Sequence, residues 1–316
     1  MAADDRGPEL ATITAVFLGL SSLTVFLRCY VRLCLLRTFR MEDYLALGTL
    51  LCFIVYSTFV MFSIQHGAGK HLDEVPAHDI PEALKMRWAG ELAYVVTSLF
   101  LKFTIGIFLL RICSQKWQKV TIWVVLLVCL IFNLFYTFVA AFQCQPVSYY
   151  WLKHTDRITG ACLNEEVITG STYAAAAINA CADWILGLLP IALVWNLDLG
   201  KRSKVSVAGI LALGSIASSA TIVRIPYVWQ LTHDTDILYE FTDLALWSTV
   251  ENGLGLTASS IATLKPLFRT FFGNPPPPPG SPLSRKRASG SVAFHCRGES
   301  EDSRYYEMDD YPQSVR

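Results

Sequence analysis

The sequence predicts an all-α membrane protein, a seven-transmembrane helix bundle with its N-terminus outside and its C-terminus in the cytoplasm. Of the 316 residues, 53% are apolar and only 16% are charged. The apolar residues lie in blocks of about 20 residues or more, the length that a helix needs to cross a bilayer core. Lys and Arg concentrate in alternate connections between these blocks, which sets the orientation. A formal net charge of zero gives no reason to expect a nucleic-acid partner.

Seven apolar blocks define the predicted spans. Their ranges are Leu10–Leu36, Asp43–Gln65, Trp88–Ile112, Val120–Phe142, Thr172–Trp195, Val205–Leu231 and Phe241–Leu264. The seventh is the most polar, so a six-span chain is the alternative. Together they form one membrane domain at residues 10–272, preceded by a short extracellular segment at residues 1–9. That segment is acidic and lacks the basic region of a signal peptide, so we expect the first block to remain in the mature protein.

The basic residues of the short connections predict which side faces the cytoplasm. They are Arg32, Arg37 and Arg40 after the first span, Arg111, Lys116 and Lys119 after the third, Lys201, Arg202 and Lys204 after the fifth, and Lys265, Arg269, Arg285, Lys286 and Arg287 after the seventh. On the opposite side acidic residues dilute the cations, and the connection THDTDILYE has no Lys or Arg. An odd number of spans requires termini on opposite sides, which agrees with this charge pattern.

The longer connections fall on the predicted outer side. Cys144 and Cys162 flank one of them, in an oxidising compartment. A disulfide between them would close a loop of roughly 19 residues and stabilise the fold by about 3 kcal/mol in the chain-entropy model; two free thiols at the membrane edge is the alternative. Another connection contains His66, His71 and His78, but their spacing fits no standard zinc pattern, so a solvated loop without metal is favoured.

A different composition begins after the last span. Residues 273–316 contain a run of five prolines followed by Arg285–Arg287 and a polar end, too little apolar material to fold alone. This predicts a disordered cytoplasmic tail whose basic cluster can hold an anionic leaflet at about 1 kcal/mol per charge. Ser289 lies two residues beyond that cluster, where a phosphate would weaken the contact. An unmodified flexible tail is the alternative.

Charged residues inside the spans form the candidate site. Lys102, Asp183 and Glu251 lie near the middle of the third, fifth and seventh spans. Each would cost about 2.5–3.5 kcal/mol facing lipid, so we expect Lys102 to neutralise Asp183, Glu251 or both in the bundle interior. Asn179 lies one turn before Asp183 and shares its face. Three interpretations stay open, namely a purely structural ion cluster, a ligand site or switch, and ion translocation.

Other charges lie near the ends of the spans. Arg224 precedes Pro226 in the sixth span and could meet an anionic group such as Asp243 or extend to the interface. Pro190 and Pro226 each remove a helical hydrogen bond, so helices five and six are expected to kink and could open a cavity. Arg28 and Arg32 lie near the inner end of the first span. They could reach lipid phosphates or pair with Glu42 or Asp43, two acidic residues near the start of the second span.

At these residues the chain resembles the fungal rhodopsin-like seven-helix membrane proteins, which are related to CFEM-type fungal GPCR-like proteins. The ordered set of matching segments is RCYVR at 28–32, EDYL at 42–45, LFLKFTIGIFLLRI at 99–112, CQPVSYYW at 144–151, NACADWILGLLPIALVWNLDL at 179–199, ATIVRIPY at 220–227 and TLKPLF at 263–268. The resemblance implies a receptor-like integral membrane protein whose ligand is unknown. With nine residues before the first span, we expect no CFEM module here.

The residues do not favour a retinal cofactor. A retinal Schiff base needs a buried lysine on the last helix, as the family resemblance implies, and the seventh span offers only Lys265 at its end. No cofactor is therefore expected. No catalytic motif of a metalloprotease or serine hydrolase occurs in the spans, so we expect no enzyme.

The functional hypothesis is a receptor-like sensor in the plasma membrane, with a small-molecule ligand and a cytoplasmic signalling partner. A transporter or channel that uses the buried charges is the alternative, although no repeat of broken spans supports it. A structural membrane protein without a ligand is the third hypothesis.

Overall fold

The fold is that of a computed structural model, and the residues described are 5–113, 115–153, 159–195 and 237–264. Six long helices occur in these ranges: α1 (Gly7–Tyr30), α2 (Met41–Gln65), α3 (Ile80–Ile112), α4 (Lys116–Ala141), α6 (Glu165–Trp195) and α7 (Ile237–Thr263). The predicted sixth span, with Arg224 and Pro226, lies outside the described residues. So do the tail at residues 273–316 and Ser289.

Local sequence signals determine where the helices begin. A proline lies in the first turn of both α1 and α3, where its missing N–H costs nothing. Glu9 and Glu82 follow in those first turns, and their charge suits the positive end of the helix dipole. At the start of α2, the Asp43 carboxylate accepts a hydrogen bond from the backbone N–H of Arg40 at 3.0 Å. The Asp43 carboxylate thereby satisfies a backbone N–H at the helix start that would otherwise lack a partner.

Helix α1 ends at Tyr30 and continues directly into a wider π-helical turn, Val31–Leu35, in which the backbone N–H of Leu36 donates to the carbonyl of Val31. Arg32 lies in that turn. The chain then reverses through Arg37, whose backbone has a positive φ of 48°, an uncommon conformation for a residue with a side chain. The connection between α1 and α2 is thus short and irregular, and it places Arg28 and Arg32 beside the first turn of α2.

Five of the helices are long and apolar enough to cross a membrane. They are Gly7–Leu35, Met41–Gln65, Ile80–Ile112, Lys116–Ala141 and Glu166–Leu189. Large apolar side chains such as Phe26 and Phe138 point outward, at 78% and 64% exposure, as suits contact with lipid tails. The described chain is an all-α membrane protein. Helix α7, 27 residues long, is not among these five spans, in keeping with its polar composition.

Helix α3 lies at the centre of the described bundle and packs against α2, α4, α6 and α7. Half of its most apolar stretch is buried in protein, compared with 28% for α1. The face of α7 that packs against α1, α2 and α3 carries hydroxyl side chains, and several of these donate to carbonyls of their own helix, as Thr249 does to Ala245 at 2.8 Å. A central helix with polar neighbours explains why this bundle can hold charges away from lipid.

A disulfide lies at the end of the bundle that carries the longer connections, which we call the disulfide end. Cys144 and Cys162 are bonded to each other. They lie opposite each other in the two antiparallel strands β1 (Cys144–Gln145) and β2 (Ala161–Cys162), which flank the short helix α5 (Tyr149–Leu152). The opposite end carries the basic connections after α1 and α3, and we call it the basic end.

Gly69 lies where three segments of the disulfide end meet. Its carbonyl accepts a hydrogen bond from the backbone N–H of Arg6 at 3.1 Å, and its own N–H donates to the carbonyl of Leu238 at 3.3 Å. Its φ is +100°, and an added Cβ would lie 2.4 Å from the backbone nitrogen of Gly7. The glycine therefore lets the connection between α2 and α3 tie the start of α1 to the start of α7.

Replacing Gly69 with Ala is expected to lower the free energy of unfolding by about 1–3 kcal/mol, because the side chain forces both a strained φ and a backbone clash. Thermal unfolding in nanodiscs measures the loss. Gly19→Ala in α1 is the matched control, since no atom lies within 4 Å of its added Cβ and alanine favours a helix. Equal stability of the two variants would contradict the close approach at Gly69.

Candidate functional site

A polar stripe runs along one face of α3. Glu91, Tyr94, Ser98 and Lys102 follow one another at intervals of three or four residues, which places them on a single helix face. Tyr94, Ser98 and Lys102 are buried, and this face turns toward α4, α6 and α7. The stripe starts near the disulfide end and finishes at mid-helix. It supplies the polar side of the candidate site.

The Lys102 ammonium and the Asp183 carboxylate form an ion pair at the end of this stripe. Lys102 Nζ lies 2.9 Å from Asp183 Oδ1, and the same ammonium donates to Ser98 Oγ at 3.2 Å. The side chains are 2% and 20% exposed, respectively. The pair joins α3 to α6, one of the two pairings considered from the sequence. Asp183 Oδ2 has no hydrogen-bond partner within the described residues.

Glu251 of α7 enters the same region through a tyrosine. The Tyr94 hydroxyl donates a hydrogen bond to Glu251 Oε2 at 3.0 Å, and Tyr94 lies about two turns before Lys102 on the same face of α3. One cation and two carboxylates from α3, α6 and α7 thus share one buried region. The sequence placed Glu251 at this depth, but the Tyr94 contact was not predicted.

Asn179 contacts α4 one turn away from Asp183. The side-chain amides of Asn133 and Asn179 face each other, at 3.3 Å for one nitrogen–oxygen pair and 3.4 Å for the other. Each amide also donates to a carbonyl of its own helix, Cys129 and Ala175, respectively. Both asparagines are buried. This uncharged pair joins α4 to α6 beside the charged pair that joins α3 to α6.

A third polar contact lies nearer the disulfide end and was not predicted. The Tyr136 hydroxyl donates to Glu91 of α3 and is within 3.4 Å of the Thr172 hydroxyl of α6. Spacing could have revealed it, because Tyr136 follows Asn133, and Thr172 precedes Asn179, on matching helix faces. Polar contacts between α3, α4 and α6 therefore continue from the disulfide end to the buried charges.

A second set of buried charges lies at the basic end. Arg28 Nε donates to Asp43 Oδ1 at 2.8 Å, with side-chain exposures of 1% and 0%. Arg32 Nη2 and Arg111 Nη1 both donate to Glu42 Oε1, at 3.0 Å and 2.8 Å. Pairing with acids, rather than extension to lipid phosphates, thus accounts for these contacts of Arg28 and Arg32. Arg111 of α3 was not predicted to belong to this set, which we call the inner charge cluster.

Asp243 pairs with another residue than the one considered from the sequence. Arg6 Nη1 lies 2.7 Å from Asp243 Oδ1 at the disulfide end, whereas Arg224 lies outside the described residues.

Of the loop histidines, His66 contacts Asp79 at 3.1 Å and His71 stacks on Tyr239. Within the described part of the chain, no three His, Cys, Asp or Glu side chains group together as metal ligands.

Two grooves open on the outside of the bundle, away from the buried charges. One of about 480 Å³ lies between α2 and α3 and is lined by apolar side chains, Trp88 and Phe59 among them. The other, of about 230 Å³, lies between α1 and α2. Both lie at the surface of the described helices and neither is lined by a charged side chain. They offer less specific chemistry than the region around Lys102.

Comparison with known proteins supplies the family context. The family model of the fungal rhodopsin domain matches residues 27–270, from the residue before the RCYVR segment to beyond the TLKPLF segment. No solved structure matches the chain.

Three curated relatives share much of this chain. A SAT4 family membrane protein of Emericella nidulans is 28% identical over 239 residues, which is 75% of this chain and 58% of the relative. Wortmanamides biosynthesis cluster protein C of Talaromyces wortmannii is 27% identical over 237 residues, or 73% and 61% of the two chains. Polyenoic acids biosynthesis gene cluster protein Ba17b of Metarhizium anisopliae is 23% identical over 275 residues, or 83% and 74%. The chain spans about three-fifths of the length of the first two.

Proposed function

The chain belongs to the family of the fungal rhodopsin domain, and on that premise we propose that it is a receptor-like sensor of a small molecule. The bundle would have seven helices, with the N-terminus outside and the C-terminus in the cytoplasm. Helix α7 would serve as the last span although it is polar, because its polar side chains lie on the face that packs against α1, α2 and α3. The plasma membrane is the proposed location.

The charge pattern supports this orientation. The basic end carries five exposed cations among the described residues, Arg37 and Arg40 before α2, Arg111 in the last turn of α3, and Lys116 and Lys119 in the first turn of α4. Such residues stay in the cytoplasm during insertion. The disulfide end carries the Cys144–Cys162 bond, which suits an oxidising compartment.

The observation that carries the proposal is the Lys102–Asp183 ion pair beside Glu251. Buried charges inside membrane helices are costly and commonly mark a functional site. Here they join three helices, and one Asp183 oxygen remains without a partner among the described residues. A ligand that donates a hydrogen bond or a positive charge to this carboxylate would weaken its hold on Lys102. Such competition would shift the bundle between two arrangements.

The signal would then leave through the basic end, where a cytoplasmic signalling protein is the proposed partner. Helix α3 connects the two regions, because it carries both Lys102 and Arg111. Lys102 and Arg111 are only nine residues apart along this one continuous helix. A shift of α3 at Lys102 would therefore also move Arg111.

A thermal-shift screen of the purified protein in nanodiscs tests the proposal, with Asp183→Asn screened in parallel. The names of the relatives are a reason to include wortmanamides and polyenoic acids in the library. We expect at least one compound to raise the unfolding temperature of the native protein and to have no effect on Asp183→Asn. Glu82→Gln is the matched control, because Glu82 is an exposed acid whose ion pair with Lys85 lies far from the site in sequence.

Two outcomes would favour the other candidate functions. A broad library without any response, with Asp183→Asn merely less stable, would point to a structural ion cluster. Transport of an ion or solute into liposomes that Asp183→Asn abolishes would favour a transporter or channel, which the buried charges also suit. We propose no enzymatic activity for this chain.

A further inference from the structure

We propose that the inner charge cluster binds a phosphate group, held between Arg32 and Arg111 at the basic end. The proposal concerns a site separate from the one at Lys102, and its in vitro test does not depend on the receptor function. The phosphate could come from a phosphorylated lipid headgroup or from a soluble phosphate ester.

The two arginines already converge on one atom. Arg32 Nη2 of the π-helical turn and Arg111 Nη1 of α3 both donate to Glu42 Oε1. Their guanidinium groups are therefore neighbours although they belong to different helices. A phosphate has several oxygens that can accept from both groups at once, which a single carboxylate oxygen does less well.

The cluster contains more positive than negative charge. Three guanidinium groups, from Arg28, Arg32 and Arg111, face the two carboxylates of Glu42 and Asp43. Each guanidinium has an acid partner, but three cations share two carboxylates, so the described cluster keeps a net charge of +1. A bound anion would compensate that excess.

Hydrogen-bond donors are also left over. Arg32 Nε and Arg28 Nη2 are buried and have no hydrogen-bond partner within the described residues, and the Asp43 oxygen nearest Arg32 Nε is 3.8 Å away. Both side chains are more than nine-tenths buried. Glu42 Oε2 likewise has no partner, but two arginines already share the charge of that carboxylate. The unused N–H groups are what a phosphate oxygen requires.

The cluster is open to the surface on one side. The Arg111 side chain is 44% exposed, whereas those of Arg32 and Glu42 are 8% and 3% exposed. Arg37 and Arg40, both exposed, lie in the same connection as the π-helical turn. Irregular π-helical turns occur often at functional sites. The exposed Arg111 side chain therefore gives an anion access to the edge of the cluster, next to Arg32.

The test uses the full chain in nanodiscs and follows its unfolding temperature. The lipid arm compares phosphatidylcholine discs that contain phosphatidylinositol bisphosphate with discs that contain phosphatidylserine at the same total charge. The soluble arm adds inositol trisphosphate to discs of phosphatidylcholine alone. We expect stabilisation in at least one phosphate arm beyond that of phosphatidylserine. A response in the lipid arm alone identifies a headgroup as the source, and a response in the soluble arm identifies a free phosphate ester.

Substitutions at Arg111 locate the effect. Because Arg111 is half-exposed, Arg111→Gln is expected to fold and to need about tenfold more of the phosphate probe for half-maximal stabilisation, the loss of one charge-assisted contact. Arg111→Lys should recover part of the response, since it keeps the charge but loses the fork of donors. Lys119→Gln is the matched control, an exposed cation removed from the same end, and should respond like the native protein.

Three results would overturn the proposal. They are no stabilisation in either phosphate arm, equal stabilisation by phosphatidylserine, and equal loss of response in Arg111→Gln and Lys119→Gln. The last two would mean general attraction to a negative surface. Any one of these results could occur while a ligand still acts at Asp183. Failure of the phosphate proposal is therefore distinguishable from failure of the receptor proposal.

Discussion

Replacing Lys102 with Met is expected to lower the free energy of unfolding by about 3 kcal/mol, at the lower end of the range for breaking a buried ion pair. The substitution leaves Asp183 without its cation, and the 20% exposure of that side chain moderates the cost. Asp183→Asn should also be destabilising, by less, because an amide next to the ammonium can still accept a hydrogen bond. Thermal unfolding in nanodiscs compares the variants.

The double variant decides whether the two residues interact directly. We expect Lys102→Met with Asp183→Asn to lose less stability than the sum of the two single losses, with a coupling of about 0.5–3 kcal/mol. Lys85→Gln is the control for removing a lysine from an exposed pair with Glu82, and should cost no more than about 0.5 kcal/mol. Additive losses at Lys102 and Asp183 would mean that no direct pair forms.

Replacing Arg28 with Met is expected to be more damaging still, by about 3–5 kcal/mol. Its partner Asp43 is fully buried, so the carboxylate has no water to replace the lost guanidinium. Asp43 also accepts the backbone N–H of Arg40, so the start of α2 would lose part of its support. Unfolding of the purified variant measures the loss.

The matched control for Arg28 is Arg40→Gln, an exposed arginine in the adjoining connection. It should change stability by no more than about 0.5 kcal/mol. Arg28→Lys tests geometry, since it keeps the charge but cannot reproduce the guanidinium contacts, and we expect it to recover only part of the stability. If Arg28→Met were as stable as Arg40→Gln, the contact with Asp43 would contribute nothing to the fold.

Apolar blocks predicted the described helices well, but not their full lengths. The predicted second span, Asp43–Gln65, agrees closely with α2, and the family predicted from the ordered motifs is confirmed by the domain match. Helix α3, by contrast, begins eight residues before the predicted Trp88, and α6 begins seven residues before Thr172. Hydropathy detects the lipid-embedded part of a helix, whereas the helix itself continues through polar residues such as Glu82 and Lys85. The seven-helix count and the orientation stay predictions.

The candidate site was predictable in depth but not in pairing. Position along the spans placed Lys102, Asp183 and Glu251 at similar levels, because helical rise is regular. Which carboxylate contacts the lysine depends on how the helices rotate and pack, and periodicity alone does not determine that. Arg111 was missed for the same reason, since its contact with Glu42 joins residues 69 positions apart. For its neighbour Arg32, the sequence allowed contact with either lipid phosphates or an acidic residue. The structure shows the contact with the acidic residue, the buried Glu42.

The Asn133–Asn179 amides have a mechanical consequence. Neither side chain titrates, so a change of pH leaves their contact intact. Asp183 lies one turn farther along the same helix, where its contact with Lys102 is electrostatic and open to competition. We therefore expect α6 to rotate relative to α4 about the Asn133–Asn179 contact when the ion pair is disturbed. The part of α6 toward the basic end would then be displaced most.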